Sequence, residues 1–466
     1  MPRIPLSTLL FCSCLCTTVA VDAQTLNMKD AVNTAVANYG TIKAKSNYVE
    51  ASKEYVKQAK RDYLPTVTLS AQQDYGTVNG QNGPLSALGG LSTASSGPTL
   101  ASQNWNAAFG ALYLSNVNWD FFTFGKIKEK VKVNQEVLKR DQNDLSQEIF
   151  QDKIRVSAAY LNLLAAQRLT LSQRKNLERA IVVKDDAVAR ASNGLLAGVD
   201  STLAVAQVSA AKILLTNSID AEQEQANRLG ILLGTPATNF KLDTASINHV
   251  PQAILLASDS SVSLTNHPIL QYYKERVDVS KQQTNYYKRL AYPTFSAIGV
   301  FQGRGSGFPS GYGTNQNDYS SSYGNGVNPV RANYLVGVGV VWNLTTILRN
   351  APQVRAQRFT SMGLQNEYEL ADQQLHSQLL LSETKIKNAM ANYVEAPIQV
   401  HAATQAYLQK SALYKNGLTT LVDLTQALFA LNRAETDRDV AYTNVWQALL
   451  IKSAATGDYN LFINEF

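Results

Sequence analysis

The sequence predicts an α+β membrane protein in which a long α-helical coiled-coil barrel continues a transmembrane β-barrel. Each protomer is expected to supply four strands, so that a trimer contains twelve strands and twelve helices. Three observations lead to this prediction: an apolar export signal at the N-terminus, a pattern written twice along the chain, and four strand segments set between very long helical stretches.

The N-terminus has the features of a secretory signal peptide covering residues 1–23. Arg3 precedes an apolar stretch that ends in Val21-Asp22-Ala23, a cleavage site of the small-residue kind. All three cysteines lie within it: Cys12, Cys14 and Cys16. Cleavage after Ala23 therefore predicts an exported mature chain without cysteine. Acylation of one of the three cysteines, as in a lipoprotein, is the alternative.

Composition excludes some function classes. The net charge of +6 is small for 466 residues, and the sequence contains no dense block of lysine and arginine. We therefore expect no nucleic-acid partner. After the signal peptide no stretch offers 18 consecutive apolar residues, so we expect no transmembrane helix. An exported chain of this kind is periplasmic, secreted, or inserted in an outer membrane as β-strands.

The mature sequence contains one unit written twice. At an offset of 228 positions, residues 38–66 match 266–294 without a gap, and later landmarks recur in the same order. The later pairs are Trp119/Trp342, Lys126/Arg349, Gly198/Gly417, Gln207/Gln426 and Gly234/Gly457, the last after one extra helical turn in the second half. We predict a first structural repeat at 24–250 and a second at 251–466. Each contains a helix, two β-strands and a long helical hairpin.

The helical segments of the two repeats are long. A first helix of about thirty residues is expected at 27–62 and again at 264–291, each ending before a Tyr-Pro or Tyr-Leu-Pro sequence. The stretch from Gly125 to about Asn193 has a heptad seam, interrupted by Asp152 and Gln173. Breaks are expected only near 194–200 and 416–420. Helices of this length cannot be buried in one globular core, so they are expected to pack side by side as coiled coils.

The strand segments alternate in a way that is typical of membrane barrels. In the fourth strand Tyr334, Val336, Val338, Val340 and Trp342 point one way, which gives an apolar face with an aromatic residue at each end. The segment from Trp105 to Trp119 repeats this pattern through Phe109, Ala111, Tyr113 and Val117. We predict that Trp105, Trp119, Tyr334 and Trp342 lie at the two membrane interfaces. The stretch from Gly303 to Gly311, with the tyrosines that follow it, is expected to be a surface loop between strands three and four.

The number of strands predicts the number of chains. Four strands cannot close a barrel, and an open sheet in lipid leaves the backbone groups of its edges unpaired. Three copies give twelve strands, which leave room for a water-filled lumen, whereas the interior of an eight-stranded barrel is filled by side chains. Strand counting therefore predicts a homotrimer with cyclic symmetry.

Several motifs in the sequence resemble those of a known protein family. The paired Asn-His-Pro and Tyr-Pro-Thr motifs, the run Trp-Asp-Phe-Phe-Thr-Phe-Gly-Lys at 119–126, and Gly-Leu-Thr-Thr-Leu-Val-Asp-Leu-Thr-Gln-Ala at 417–427 resemble the TolC-type outer-membrane efflux proteins. The resemblance covers the whole mature chain. It implies a trimeric channel in the outer membrane with a long periplasmic helical tunnel. It also implies a periplasmic adaptor at the tip and an inner-membrane pump.

The same resemblance implies a gate at the tip, where two turns join the long helices. The residues concerned are Gly198, Val199, Tyr414, Gly417, Leu418, Asp423 and Gln426. The family closes its tip with acidic rings, and Asp423 keeps an acid where Gln426 does not. Tyr414 matches a tyrosine of the family's closing hydrogen-bond network. The position of its aspartate partner is Ala204 here, so we expect that link to be absent.

We find no reaction centre in the sequence. The four histidines are scattered, no phosphate-binding loop or nucleophile motif is present, and neither metal nor cofactor is expected. The protein is expected not to be an enzyme. Two other functions stay open: the outer-membrane component of a type I protein secretion system, and a periplasmic coiled-coil structural protein that forms no channel.

Overall fold

The computed structural model describes residues 25–80, 99–235, 239–244, 249–255 and 264–466. The predicted signal peptide and residues 81–98 of the first strand connection lie outside these residues. The described chain forms two compact units. One contains the described residues up to Lys45 with Leu145–Gln271 and Leu370–Phe466; the other contains Ser46–Asp144 and Tyr272–Glu369. Each unit takes segments from both predicted repeats.

The described helices are listed in chain order. They are α1 Met28–Asn38, α2 Gly40–Arg61, α3 Lys126–Ser192, α4 Gly198–Leu233, α5 Gln252–Leu255, α6 Pro268–Arg289, α7 Tyr323–Val327, α8 Thr345–Lys415, α9 Leu421–Thr456 and α10 Asn460–Ile463. At 67 residues α3 is roughly 100 Å long. Both ends of this helix lie within one residue of the ends predicted from the sequence.

The predicted helix at 27–62 is two helices. Tyr39 has extended backbone (φ −63°, ψ 121°) and separates α1 from α2. In the second repeat α6 begins only at Pro268, after a 3-10 turn at Leu264–Asn266. The break falls at equivalent places because Asn38-Tyr39-Gly40 corresponds to Asn266-His267-Pro268. The N–H at the first position of a helix has no partner within the helix. Proline, which lacks this N–H, can therefore start α6 without the loss of a hydrogen bond.

The sheet has four antiparallel strands in the order β1-β2-β3-β4: β1 Thr66–Thr77, β2 Ala107–Phe122, β3 Thr294–Ser306 and β4 Arg331–Val341. The register aligns Val67 with Val117, Val117 with Gly299, and Gly299 with Val336. A β-bulge lies between Trp119 and Phe122. Because β3 continues to Ser306, Gly303 and Gly305 belong to a strand, and the predicted surface loop begins later than expected.

The main core lies in the first of the two units. Its largest fully buried side chains include Trp446, Tyr160, Leu163 and Leu229, contributed by α9, α3 and α4. The Tyr160 hydroxyl donates to the backbone carbonyl of Leu26 at 2.8 Å, and burial raises the pKa of Tyr160 to about 12. The N-terminal segment is thereby fixed to the helices.

Helix α4 bears on the expectation that no transmembrane helix follows the signal peptide. Among the described helices it is the one that is long and apolar enough, by length and composition, to cross a membrane. Its large aliphatic side chains are exposed in the single chain, for example Val205, Ile213 and Ile231. Lys212, Asp220 and several serine, threonine, asparagine and glutamine residues interrupt the apolar run, so no stretch of 18 consecutive apolar residues exists.

Candidate functional site: the sheet faces and the helix-hairpin turns

The two faces of the sheet differ in chemistry. The register places on one face, the apolar face, Val67, Leu69, Phe109, Tyr113, Val117, Phe301, Tyr334, Val336, Val338 and Val340. The opposite face, the polar face, contains Ser70, Gln72, Asp74, Asn116, Asn118, Gln302 and Arg304, together with aliphatic residues such as Leu112, Leu114, Val300 and Leu335. The alternation predicted for β2 and β4 is therefore confirmed, and the two predicted sets share one face. Val336 is 79% exposed in the single chain.

The sheet has two edges that carry no strand among the described residues. Strands β1 and β4 have 12 and 11 residues, and each pairs on one side alone. Long edges with a row of free N–H and C=O groups are templates for pairing with another chain. Since neighbouring strands alternate in direction, β4 runs antiparallel to β1. A second copy can therefore continue the sheet without breaking its antiparallel pattern.

Two of the predicted interface tryptophans have equivalent contacts in the two repeats. Trp119 Nε1 donates to the Tyr63 carbonyl at 2.9 Å, and Trp342 Nε1 donates to the Ala291 carbonyl at 3.1 Å. These acceptors precede the two proline motifs at the ends of α2 and α6. Trp105 lies two residues before β2 and Tyr334 lies within β4, both strongly exposed. The four aromatic residues are thus near opposite ends of the strands.

The two turns that join the long helices have the same backbone. Gly194 (φ +73°) follows α3 and Gly417 (φ +74°) follows α8. The N–H of the next residue returns to the carbonyl five positions earlier, Leu195 to Arg190 and Leu418 to Leu413, both at 2.9 Å. These are Schellman C-caps, in which the position with left-handed backbone is usually occupied by glycine.

This geometry corrects the predicted alignment of the repeats. The structural equivalent of Gly417 is Gly194, at an offset of 223, and not Gly198, which is the first residue of α4. The same offset relates Trp119 to Trp342 and Gly234 to Gly457. Helices α4 and α9 both have 36 residues, so the second repeat has no extra turn. Asp200, which the sequence reasoning passed over, is therefore the counterpart of Asp423.

Asp423 lies in the first turn of α9 and forms a capping box with Thr420. The Asp423 N–H donates to Thr420 Oγ1 at 3.2 Å, and the Thr420 N–H donates to Asp423 Oδ2 at 3.4 Å. The hydroxyls of Thr419 and Thr420 also donate to Oδ2, at 2.8 and 2.9 Å. These hydrogen bonds, and then Lys410 at 4.0 Å, lower the pKa of Asp423. Its carboxylate is thus held ionised at the start of the helix, while Gln426 is exposed.

Tyr414 is buried at the end of α8, in a cluster with Val183, Ala187, Ala204, Leu421 and Leu424. Its hydroxyl has no hydrogen-bond partner among the described residues, and burial raises the pKa of the phenol. Ala204 of the same cluster has no side-chain group that could accept a hydrogen bond from this hydroxyl.

Arg190 joins the two hairpins, a role that the sequence reasoning did not find. Its Nη1 and Nη2 donate to the carbonyls of Tyr414 and Lys415 at 3.1 and 2.7 Å, and Asp186 pairs with Nε. The guanidinium also lies over the Tyr414 ring, 5.3 Å from its centroid. Those two carbonyls are at the end of α8 and have no partner within the helix. A basic residue in the last turn of α3 was the available signal.

The two turns also expose aliphatic side chains. Leu195 and Val199 near one turn correspond at offset 223 to Leu418 and Val422 near the other, and all four are more than half exposed. Exposed leucine and valine at a turn contribute nothing to the core of this chain. The described residues contain no group of three or more histidine, cysteine, aspartate or glutamate side chains arranged to hold a metal ion.

No protein-family model and no curated protein matches the chain. Several solved structures do match it. The CmeC outer membrane channel of Campylobacter jejuni aligns with a TM-score of 0.75 at 13% identity, covering 92% of this chain and 85% of that one. CusC aligns with a TM-score of 0.75 at 11% identity, covering 92% of both chains. VceC of Vibrio cholerae gives 0.71 at 15%, covering 92% and 96%.

The chain has the fold of the TolC-type outer-membrane channels. The predicted fold class is therefore confirmed for the single chain, down to the four-stranded antiparallel sheet. Within this channel fold, the turns after α3 and α8 and the two faces of the sheet are the features that bear on function.

The capping box of this channel fold gives a test of the corrected alignment. Ala197, the N-cap of α4, makes no side-chain hydrogen bond, whereas the equivalent Thr420 does. We expect Thr420→Ala to destabilise the first turn of α9 by about 1 kcal/mol and Ala197→Ser to stabilise that of α4 by a similar amount. Hydrogen exchange of the amides in each first turn measures both effects. Changes of the same sign in the two variants would contradict the equivalence.

Proposed function

We propose that the chain is one protomer of a homotrimeric outer-membrane channel. In this proposal the channel is the exit duct of a tripartite efflux pump, conducts small molecules passively and catalyses no reaction. One observation carries the proposal: a sheet with an apolar exposed face and two long edges at which no other described segment pairs. Such a sheet satisfies its backbone in a bilayer only when further copies close it. The fold of the structural neighbours supports it.

Three copies fit the chemistry of both faces. Twelve strands enclose a lumen wide enough for water, and the polar face with Asn116, Asn118 and Gln302 is suited to line it. The apolar face then contacts lipid, with aromatic side chains near both ends of the strands. The exposed aliphatic side chains of α4 are suited to pack against a neighbouring copy.

The turns after α3 and α8 are proposed as the docking site of a periplasmic adaptor that links the channel to an inner-membrane pump. Leu195, Val199, Leu418 and Val422 offer matched aliphatic contacts that the chain itself does not bury. Exposed apolar side chains grouped in this way are typical of interaction sites. The proposed gate residues, Asp423, Gln426 and Tyr414, lie beside these contacts, and Gly198, Gly417, Leu418 and Val199 belong to the same two turns.

Two other functions compete with this one. A channel of a type I protein secretion system would share every feature described so far and would differ in its cargo. A periplasmic coiled-coil structural protein would keep its four strands out of lipid. The concentration of exposed apolar side chains on one face of the sheet, with most of the polar ones on the other, favours a membrane channel over the structural protein.

A cross-linking and conductance experiment tests the proposal. The chain after residue 24 contains no cysteine, so cysteines introduced in pairs along the β1 and β4 edges are the sole thiols of a chain expressed with cleavage at Ala23. We expect oxidation in outer membranes to give a ladder that ends at three chains, and the purified trimer to conduct ions in a planar bilayer. A mature protein that is monomeric in detergent-free buffer and gives no conductance would overturn the proposal.

A further inference from the structure

The connection between β3 and β4, residues 307–330 and here named the rim loop, folds back onto the sheet. Its helix α7 packs on β2 and β3. The Tyr113 hydroxyl donates to the Val327 carbonyl at 3.1 Å, and the Tyr323 ring meets Phe109 edge-on at 5.2 Å. Tyr113 and Phe109 are residues of the apolar face. The rim loop therefore covers the side of the sheet that the proposed function assigns to lipid.

Glycines on both surfaces make this close packing possible. A Cβ atom on Gly305 of β3 would lie 2.5 Å from the Gly326 carbonyl oxygen and 2.7 Å from that of Asn328. A Cβ on Gly326 would lie 2.6 Å from the carbonyl carbon of Phe109. Real Cβ atoms are not found so close to backbone atoms, so any side chain at either position would push the rim loop off the strands. The loop is thus fitted to the apolar face.

The rim loop also satisfies a polar group on that face. Gln73 of β1 points to the apolar side, where an unpaired amide in lipid is costly. The Tyr323 hydroxyl donates to Gln73 Oε1 at 2.7 Å, and Gln73 Nε2 donates to the Tyr113 hydroxyl at 3.1 Å. Without the loop, Gln73 would lose its contact with Tyr323.

The composition of the rim loop fits the interface of a bilayer. Its 24 residues include Asp318 as the sole charged residue, four aromatic residues and many of asparagine, serine and glycine. Tyrosine is enriched at the level of lipid headgroups because its ring is apolar and its hydroxyl is polar. Beside the loop, an open groove of about 560 Å³ is lined in part by Leu69, Phe301, Pro329 and Val330, a chemistry suited to an acyl chain.

We propose that the rim loop is a collar at the outer-leaflet interface of the bilayer. It contacts lipid headgroups and the upper part of the acyl chains, and it does not cover the mouth of the lumen. This inference rests on the proposed function, because that function assigns the apolar face to lipid. The loop is tied in this position through Gln316, whose Oε1 accepts from Asn104 Nδ2 at 2.9 Å and whose carbonyl accepts from Asn106 Nδ2 at 2.8 Å.

Three variants of the mature chain, which lacks Cys12, Cys14 and Cys16, test the collar, each with one introduced cysteine: Ser321→Cys in the rim loop, Val338→Cys on the apolar face and Ser70→Cys on the polar face. Each is labelled with a small fluorophore and reconstituted in phospholipid vesicles. We expect a spin label on the lipid headgroup to quench the Ser321→Cys label strongly, and a spin label in the acyl chain to quench the Val338→Cys label. The Ser70→Cys label is expected to be quenched by aqueous iodide and by neither lipid label.

A second measurement asks whether the loop reaches the lumen. A polyethylene glycol chain attached at Ser321→Cys is expected to leave the conductance unchanged, whereas the same chain at Ser70→Cys is expected to reduce it about two-fold or more. Iodide quenching without headgroup quenching at Ser321→Cys, or an equal loss of conductance there, would overturn the collar.

The two proposals fail in different ways in these experiments. A protein that conducts, with the Val338→Cys label quenched by lipid and the Ser321→Cys label not, keeps the channel function and loses the collar. A protein that never conducts and whose Val338→Cys label is not quenched by lipid loses the channel function, and the collar with it.

Discussion

Arginine at position 336 is expected to prevent stable insertion of the proposed channel, whereas arginine at the neighbouring position 335 is expected to be tolerated. Val336 and Leu335 are adjacent in β4, and both are large, aliphatic and more than half exposed in the single chain. They differ in the face they occupy: Val336 aligns with Gly299 on the apolar face, and Leu335 aligns with Val300 on the polar face.

The expected difference follows from the cost of a charge in lipid. An arginine on the lipid side near the middle of a barrel strand costs about 2–4 kcal/mol. Each copy in a trimer would bear that cost. An arginine facing a water-filled lumen remains hydrated. We therefore expect Val336→Arg to reduce the amount of trimer in outer membranes strongly and Leu335→Arg to leave it near the normal level.

The measurement is the amount of trimer in outer membranes on gels run without heating, with total expression as the control. Leu335→Arg should also change the ion selectivity of the channel, because it adds one positive charge per copy to the lumen. If the effects of the two variants were exchanged, the faces assigned above would be inverted. If both were tolerated, the sheet would not lie in lipid.

The strands and long helices of this chain could be predicted because their signals are periodic. Alternation at every second residue identified the face shared by Tyr334, Val336 and Val338, and the seam of α3 fixed a helix of 67 residues. These signals extend over many residues, so one exception does not hide them. The aromatic residues at the strand ends were found for the same reason.

Local features were predicted less well. The helix break at Tyr39 was missed because its signal is a single residue that takes up extended backbone between two segments of good helix formers. The alignment of the turns was wrong by four residues because Gly198 was paired with Gly417 by identity. The backbone shows that the left-handed residue, Gly194, is the one that corresponds.

The surroundings of single side chains left no periodic signal. Asp152 was predicted to interrupt the seam of α3, and the structure adds that it is fully buried, 3.5 Å from Arg155 of the same helix, and that burial raises its pKa. The sequence likewise identified residues after Gly303 as a surface loop without showing that the loop folds onto the sheet. Such packing depends on shape, here the absence of side chains at Gly305 and Gly326.

Replacing Gly457 by alanine is expected to destabilise the protein far more than the same change at Gly194. Both glycines have left-handed backbone, with φ +77° and +73°. A Cβ on Gly194 would meet no atom within 4 Å, but a Cβ on Gly457 would lie 2.8 Å from His267 Cδ2. His267 has little room to move, because its Nδ1 accepts from the Ile269 N–H and its Nε2 lies 3.1 Å from the Ala454 carbonyl.

The two variants therefore separate backbone strain from steric overlap. Left-handed backbone alone costs alanine about 1 kcal/mol, which is the full expectation for Gly194→Ala. Overlap with a buried side chain adds about 1–3 kcal/mol. Gly457→Ala is therefore expected to lower the free energy of unfolding by about 3 kcal/mol. Gly234→Ala should fall between them, because its Cβ would lie 3.2 Å from Asn38 Cβ.

Chemical unfolding of the purified protein in detergent measures this order. His267→Ala combined with Gly457→Ala is the decisive control, because it removes the ring that the new methyl group meets. If overlap with the ring is the main cause, adding Gly457→Ala to the His267→Ala variant should cost about as much as Gly234→Ala, because the His267 Cα would still lie 3.1 Å from the new Cβ. If the cost stayed near that of Gly457→Ala alone, the strain would lie in the backbone at the end of α9, and His267 would not be its source.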